Sequence, residues 1–256
     1  MILLVLRRAT RIRLITALAL SSIIIVARYA SPMYASTVAS GKIMPIYRVI
    51  TPEKAVALTF DIGWGEVSPG RVLDVLRKKG LSCTFFLSGP WAASHPQVVR
   101  RIAEEGHEIG SHGWWHDNLS QCSRERIIES LRRTRDTITS LVGNEASLFR
   151  PPNGDYDDEV VLTAREQGYH TIIWSLDTLD WKNPGVDFMV NRVLTRAQAG
   201  DIILCHASDS AKETYLALPA IVDGLTANGF RITKLSDLLA LAGEKYIIKP
   251  DRNLNR

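Results

Sequence analysis

The fold is decided by a strand–helix–strand unit at Ala55–Leu87, which reads AVALTFDIGWGEVSPGRVLDVLRKKGLSCTFFL. The apolar run Ala55–Phe60 predicts a strand, Val72–Lys79 predicts a helix that Gly80 ends, and Cys83–Leu87 predicts a second strand. Neighbouring parallel strands need a crossover of this kind, and the crossover is usually a helix. The unit therefore indicates an α/β fold.

The same alternation continues through the rest of the chain. Further strands are predicted at His107–Gly110, Leu148–Arg150, Thr171–Leu176, Ile202–Cys205 and Phe230–Thr233, and further helices at Pro96–Glu105, Arg124–Leu141, Glu159–Gln167, Val186–Ala199, Leu218–Ala227 and Ser236–Leu241. About seven parallel strands in one domain favour a barrel, and an open doubly wound sheet is the alternative. No phosphate-binding glycine fingerprint follows the first strand, which weakens a nucleotide-binding version of the open sheet.

The N-terminal segment, residues 1–40, has the pattern of a targeting sequence. It carries five arginines and no lysine, aspartate or glutamate, and the uncharged apolar run Leu14–Ala27 follows the positive region. That run is short for a membrane span, which needs about 20 apolar residues. We predict a signal peptide or a retained N-terminal membrane anchor, followed by one domain at residues 41–256. Either form places the domain outside the cytoplasm, secreted or anchored.

The charge and the cysteines exclude several classes of protein. The net charge is +4, but without the leader the chain has 26 basic and 27 acidic residues. The predicted domain is therefore not basic overall, which removes the main electrostatic argument for nucleic-acid binding. The three cysteines do not have the close spacing of a zinc or redox motif, and no disulfide is predicted. We expect Cys83 and Cys205 to be buried small hydrophobic residues.

Ionisable side chains follow five of the predicted strands at the point where each strand ends. These residues are Asp61, His112 with His116, Arg150, Asp177 with Asp180, and His206. The carboxyl ends of barrel strands meet at one face, which is where the catalytic groups of such barrels lie. The sequence therefore predicts one polar site at this face.

The residue types at this face suit metal-assisted hydrolysis at a carbonyl. His112 and His116 have the spacing that puts two imidazoles on one side of a helical turn, where they can bind one divalent metal ion. Asp61 is the candidate base, and His206 the candidate acid for a departing amine. The chain has no G-x-S-x-G elbow, so a serine hydrolase is not favoured.

Two further assignments complete this prediction. Arg150 is the expected partner that sets the pKa of Asp61. Asp180 or Asp177 is expected to fix the tautomer of the His206 ring.

Five motifs in order resemble those of the NodB-type polysaccharide deacetylases, which are carbohydrate esterase family 4. They are Thr59-Phe60-Asp61, His112-Gly-Trp-Trp-His116, Arg150-Pro151-Pro152-Asn153-Gly154, Asp177-Thr-Leu-Asp180-Trp181 and Ile203-Leu-Cys-His206. The match extends from about Ala55 to Leu241. The runs from Thr59 to Gly65 and from His206 to Ala211 further resemble the branch found in spore-forming bacteria.

The resemblance implies a distorted (β/α) barrel and removal of N-acetyl groups from GlcNAc or MurNAc residues of peptidoglycan, chitin or a related polymer. It implies that Asp61 is the base, that His206 is the acid oriented by Asp180, and that Arg150 tethers the base. His112 and His116 correspond to ligands of a divalent ion of the zinc, cobalt or nickel class. The implied partner is an N-acetylated polysaccharide, with peptidoglycan first, and the protein is expected to be monomeric.

The resemblance also assigns the substrate-binding residues. The backbone N–H of Asn153 corresponds to an oxyanion donor. Trp181 is an expected wall for a sugar ring, and Asp177 belongs to the same substrate-binding group. Trp64 and Trp115 are either further walls or ordinary core aromatic residues.

Three positions depart from the family pattern. Ile62 stands where the family has an aspartate that is the third metal ligand, Asn153 stands where an aromatic residue is usual, and Gly113 stands where serine or threonine is usual. Two hypotheses follow. The first is a deacetylase that binds its metal with a reduced ligand set, and the second is a saccharide-binding pseudoenzyme of the same fold. Retention of Asp61, His206 and both histidines favours the enzyme.

Overall fold

The computed structural model describes residues 44–242 and 246–247. The strands are β1 (Arg48–Val49), β2 (Ala55–Ile62), β3 (Thr84–Leu87), β4 (Glu108–Ser111), β5 (Leu148–Phe149), β6 (His170–Thr171), β7 (Leu176–Asp177), β8 (Ile202–His206), β9 (Arg231–Thr233) and β10 (Tyr246–Ile247). The α-helices are α1 (Val67–Lys79), α2 (Gly89–Ser94), α3 (Pro96–Glu104), α4 (Arg124–Val142), α5 (Asp158–Glu166), α6 (Val186–Arg196), α7 (Thr214–Ala227) and α8 (Leu235–Ala240). Short 3₁₀ turns cover Leu119–Gln121, Pro152–Gly154 and Asp180–Lys182.

Parallel strands form a curled sheet in the order β6-β5-β4-β3-β2-β8-β7, and β9 pairs with the first half of β2. Strand β1 pairs separately with β10 in the antiparallel sense. Because every neighbour in the large sheet is parallel, the carboxyl ends of its strands lie on one rim. The predicted distorted barrel is confirmed, and β2 is the strand that pairs with three others, β3, β8 and β9.

The alternation of side chains along β2 decides which of its residues reach the barrel interior. All eight residues of this strand are buried. Leu58, Phe60 and Ile62 belong to the main hydrophobic cluster, which also contains buried residues of α1, α3, α6 and α7. Because successive side chains of a strand point to opposite faces, Thr59 and Asp61 point the other way, into the barrel.

Local signals explain the boundaries of the long helix α4. The Ser123 side chain accepts a hydrogen bond from the backbone N–H of Arg126, and Gly143 ends the helix in the left-handed conformation at φ 77°. Both roles were expected from the residue types, because serine caps helix N-termini and glycine adopts positive φ without strain. The buried face of the helix carries Ile127, Leu131 and Ile138.

One predicted strand, Thr171–Leu176, is wrong as a single element. The structure divides it into β6 and β7, which lie at opposite ends of the curled sheet. Between these two strands the backbone N–H of Ile173 donates to the carbonyl of Ile46, and the backbone N–H of Ser175 donates to the carbonyl of Ile202. The segment crosses from one edge strand of the curled sheet to the other, so its residues cannot all pair within one continuous strand.

Three helix boundaries differ from the prediction by three residues or more. Helix α1 begins at Val67 rather than Val72, and α7 begins at Thr214 rather than Leu218, with Pro219 inside it. Helix α6 ends at Arg196 rather than Ala199. The start of α1 depends on a hydrogen-bond acceptor from a distant loop, Asp209, which no local pattern indicates.

The predicted leader, residues 1–40, lies outside the described residues. All described residues fall within the compact unit Ser36–Arg256. None of the helices in the described part combines the length and apolar character that a bilayer crossing requires. Cys83 and Cys205 are buried free thiols, as expected.

Candidate active site

The sheet register places the two candidate proton-transfer residues side by side. In the pairing of β2 with β8, Asp61 lies opposite His206. Both residues end their strands at the same rim, and both line a cavity of about 480 Å³. The structure therefore brings together two residues that are 145 positions apart in the sequence.

A buried arginine holds the Asp61 carboxylate in its ionised form. Nη1 of Arg150 lies 2.8 Å from Oδ1 of Asp61, and the side chains are 0% and 7% exposed. Arg150 also donates to the Thr59 hydroxyl and to the carbonyl of Ile173, which fixes the guanidinium plane. Burial favours the neutral acid, but the charge of Arg150, with a smaller contribution from the charged ring of His206, outweighs it and lowers the pKa of Asp61.

His112 is held in the tautomer that binds metal ions. Its Nδ1 lies 2.8 Å from the carbonyl of Arg150, and a carbonyl can only accept, so Nδ1 carries the proton. The lone pair of Nε2 then faces Oδ2 of Asp61 at 3.8 Å. Burial lowers the pKa of His112 to about 4, so the ring is neutral at neutral pH.

The second histidine lies at the mouth of the cavity. The ring of His116 is exposed, and its centroid lies 5.6 Å from that of His112 at an interplanar angle of 72°. The His116 ring also lies edge-on to the ring of Trp64, with the two centroids 5.8 Å apart.

Two imidazoles of the cavity lining, those of His112 and His116, are candidate donors to a divalent ion. His112 directs a lone pair into the cavity, and His116 lies beside it, whereas Ile62 belongs to the main hydrophobic cluster and contributes nothing to the lining. Ile62 is the residue after Asp61 in the strand, so it points to the opposite face of the sheet. Within the described residues, no group of three or more His, Cys, Asp or Glu side chains is arranged to hold a metal.

His206 is coupled to Asp180 by two hydrogen bonds. Nδ1 of the ring lies 2.7 Å from Oδ1 of Asp180, and the backbone N–H of His206 donates to Oδ2 at 2.6 Å. The hydroxyl of Thr214 also donates to Oδ2. Burial opposes protonation of the ring, but the charge of Asp180, with smaller contributions from Asp61 and Asp177, outweighs it and raises the pKa of His206 to about 9.

Of the two acids that could orient His206, the structure selects Asp180. The other acid, Asp177, accepts from the backbone N–H of Leu179 and from the indole N–H of Trp181 at 3.3 Å. Burial raises the pKa of Asp177. Asp177 therefore fixes the indole of Trp181 at the edge of the cavity.

Two tryptophans stand at the cavity mouth. Trp64 is 50% exposed and Trp181 is 49% exposed, and both line the cavity. Trp115, the third candidate wall, is not in the lining, so that alternative is wrong for it. Its ring instead packs under the guanidinium of Arg126, at 3.1 Å from the ring centroid to Cζ.

Asn153 occupies a strained turn at the edge of the same cavity. Its φ of 58° is left-handed, a conformation that asparagine tolerates better than most residues. The side chain donates to Asn118, and the backbone N–H has no acceptor among residues 44–242. Asn153 also belongs to the lining of the cavity.

Sequence reasoning missed several residues of the lining. They are Gly63, Gly154, Trp174, Leu204, Ser208 and Ser210. Trp174 and Leu204 read as ordinary core residues of predicted strands, and only the break between β6 and β7 places Trp174 at the cavity. The two serines follow His206 closely, which was the available signal.

Comparison with known proteins gives a consistent result. A family model described as "Polysaccharide deacetylase" matches residues 48–172. A "Peptidoglycan-N-acetylglucosamine deacetylase" of Bacillus cereus is 38% identical over 196 residues, covering 75% of this chain and 92% of that protein. An "Uncharacterized protein YlxY" of Bacillus subtilis is 31% identical over 195 residues, covering 76% of this chain and 60% of that protein. The chain thus matches less than two thirds of the length of this second relative.

A solved structure adds a different kind of neighbour. It is described as a carbohydrate esterase family 4 pseudoenzyme from Bacillus anthracis, with 32% identity, a TM-score of 0.73, and coverage of 79% of this chain and 70% of that one. A mutant of that protein, with the same TM-score, is described as having restored enzymatic activity. The identity and coverage of the Bacillus cereus relative, together with the shared fold, show that the chain belongs to the polysaccharide deacetylase family, carbohydrate esterase family 4.

Proposed function

We propose that this protein is a hydrolase that removes N-acetyl groups from GlcNAc or MurNAc residues of peptidoglycan. The observation that carries the proposal is the pair at the ends of β2 and β8, an ionised Asp61 beside a protonated His206 in one cavity. Amide hydrolysis needs a base for the attacking water and an acid for the leaving amine, and these two residues have the required protonation states at neutral pH.

His206 is the general acid of the proposed reaction. With a pKa of about 9 the ring is doubly protonated at neutral pH. Because Nδ1 is bound to Asp180, Nε2 is the nitrogen that donates its proton to the amide nitrogen as the C–N bond breaks. Asp180 stabilises the charged ring before the transfer and keeps its orientation after it.

Asp61 is the general base. Its Oδ1 is occupied by Arg150, which leaves Oδ2 to accept a proton from the attacking water. The same ion pair lowers the basicity of the carboxylate, so the water needs separate activation.

A backbone N–H and a pair of histidines are proposed to stabilise the negative charge that develops on the substrate oxygen. The backbone N–H of Asn153 is the proposed hydrogen-bond donor to that oxygen. His112 and His116 would hold a divalent ion of the zinc, cobalt or nickel class, which when bound polarises the carbonyl and lowers the pKa of water. The preset neutral tautomer of His112 supports this role.

The cavity mouth supports a sugar substrate. Trp64 and Trp181 are half-exposed aromatic rings, which suit the apolar face of a pyranose. The Bacillus cereus relative is named a peptidoglycan GlcNAc deacetylase, which supports peptidoglycan as the polymer. We further propose extracytoplasmic action by a monomer, delivered by the arginine-rich leader, and a setting in sporulation because of the motifs shared with spore-forming bacteria.

The test is acetate release from N-acetylated chito-oligosaccharides and from peptidoglycan by the protein without residues 1–40. The protein is assayed in EDTA and with zinc, cobalt or nickel, and Asp61→Asn and His206→Ala are the matched controls. We expect metal-stimulated release in the wild type and loss in both variants. Release no greater than that of His206→Ala under every condition would overturn the enzyme proposal.

A saccharide-binding pseudoenzyme is the second candidate. It is favoured by one observation, that Ile62 packs in the hydrophobic cluster and gives the metal site no third ligand. One of the similar solved structures is described as a pseudoenzyme, which supports an inactive saccharide-binding role for a protein of this fold. Saccharide binding in EDTA without acetate release in any metal would establish it.

A further inference from the structure

The loop after the candidate acid, residues 207–213, is hydrogen-bonded to the segment that carries Trp64 and to the turn that carries Trp181. On one side the carboxylate of Asp209 accepts three backbone N–H groups at the start of α1. Oδ2 accepts from Glu66 at 3.0 Å, and Oδ1 accepts from Val67 at 3.1 Å and from Ser68 at 2.7 Å. Asp209 thus caps a helix from a loop 141 residues away in the sequence.

The segment before α1 is pressed directly against Asp209. Gly65 has φ +100°, and a Cβ there would lie 2.5 Å from Cγ of Asp209, so only glycine fits. The carbonyl of Gly65 accepts from the indole of buried Trp91 at 2.8 Å, and the N–H of Gly63 donates to the Ser208 hydroxyl at 3.2 Å. Both neighbours of Trp64 are therefore fixed, although the Trp64 side chain itself is half exposed.

The same loop is also hydrogen-bonded to the turn that carries Trp181. The Asn183 side chain donates to the carbonyl of Ser210 and accepts from the N–H of Lys212, each at 2.8 Å. Asn183 follows Trp181 by two residues and has a left-handed φ of 49°. The loop after β8 thus bridges the two turns that carry the aromatic walls.

We propose that Asp209 is a positioning residue that fixes Trp64 relative to Trp181 and so sets the width of the groove. The carboxylate suits this task because both of its oxygens are used by the N-terminal N–H groups of α1, where negative charge is favourable. Trp64 also contacts the ring of His116, so its placement affects that imidazole. The identity of the ligand as a saccharide rests on the proposed function, whereas the positioning of Trp64 does not.

The first test needs no ligand. The protein is labelled with 5-fluorotryptophan, its six tryptophans are observed by ¹⁹F NMR, and Trp64→Phe assigns the Trp64 resonance. In Asp209→Ala we expect this resonance to move and broaden. The matched control is Asp157→Ala, which removes the side-chain cap of α5 outside the cavity and should leave it unchanged. An unchanged Trp64 resonance in Asp209→Ala, or an equal change in Asp157→Ala, overturns the proposal.

Two further variants extend this test. Asp209→Asn keeps one acceptor oxygen, so an intermediate change is expected, and it replaces the alanine variant if that variant does not fold. In Asn183→Ala the resonance of Trp181 should change in the same way, and an unchanged Trp181 resonance would contradict the bridging role of the loop.

The second test measures saccharide binding as a double-mutant cycle. Asp209→Ala should weaken binding of a chito-oligosaccharide about tenfold, and it should have no further effect in a Trp64→Ala background. An equal loss in both backgrounds would show that Asp209 does not act through Trp64. Absence of acetate release by the wild type contradicts the proposed function alone, because the ¹⁹F result still decides the role of Asp209.

Discussion

Replacing Asp180 with asparagine should remove most of the upward shift in the pKa of His206. The variant keeps the size of the side chain, but the carboxylate that bonds Nδ1 at 2.7 Å is lost. A rise from 6.5 to about 9 corresponds to about 3 kcal/mol in favour of the protonated ring. Burial alone lowers the pKa, and Asp61 and Asp177 contribute less than Asp180, so we expect the pKa of His206 to fall from about 9 toward its ordinary value of 6.5.

The measurement is a pH titration of the His206 imidazole by ¹H–¹⁵N NMR in EDTA, for the wild type and the variant. The control is Asp187→Asn, which removes an exposed carboxylate in the first turn of α6 and should leave the titration unchanged. If the protein releases acetate, the basic limb of its pH–rate profile should move down with the same pKa. A midpoint that stays near 9 in Asp180→Asn would refute the assignment of Asp180 as the source of the shift.

The same shift fixes how stability depends on pH. Folding raises the pKa of His206, so the stabilising contribution is complete below about pH 6.5 and is lost as the pH rises through about 9. The wild type should therefore lose up to about 3 kcal/mol from this group across that range in urea unfolding. Asp180→Asn should not show this decline, and an identical decline in both proteins would contradict the linkage.

Three further predictions concern stability, measured by urea unfolding in EDTA. Arg150→Ala leaves the buried carboxylate of Asp61 unpaired and should lower the free energy of unfolding by about 3–5 kcal/mol. The loss should be much smaller when Asp61→Ala is also present. Equal losses in the single and the double variant would contradict the pairing. Ile62→Asp puts a carboxylate in the apolar cluster and should lower the free energy of unfolding by about 2–4 kcal/mol. The smaller change Ile62→Val should lower it by about 1 kcal/mol. An aspartate that causes no loss would mean that the end of β2 rearranges. Leu179 has a left-handed φ of 61°, which asparagine tolerates better than a β-branched residue. Leu179→Val should therefore be about 1 kcal/mol less stable than Leu179→Asn. The reverse order would contradict the backbone strain at this position.

Much of the fold could be predicted from periodicity and glycine positions. The long helix α4 and the strands β2, β3 and β8 have strong local patterns with clear ends, and the structure confirms them. Elements that depend on distant partners could not be predicted from local pattern. The segment Thr171–Leu176 looks like one strand, but its hydrogen-bond partners lie on two edges of the open barrel.

The candidate site shows the same division. The rule that ionisable residues collect where barrel strands end identified Asp61, His112, Arg150 and His206 from the sequence. It could not choose between Asp177 and Asp180 as the partner of His206, because both follow one strand. It also could not place Trp115, whose ring lies under Arg126 rather than at the cavity.

The sequence by itself determined the fold class, the family and the kinds of chemical group at the rim, because these depend on local pattern and residue type. Only the tertiary structure decided their states and positions. The pKa values of Asp61 and His206 depend on burial and on charges from other strands, and Ile62 faces the core because β2 continues through it. The positions of Trp64 and Trp181 depend on a loop far along the chain, where Asp209 and Asn183 make contacts that no local signal encodes.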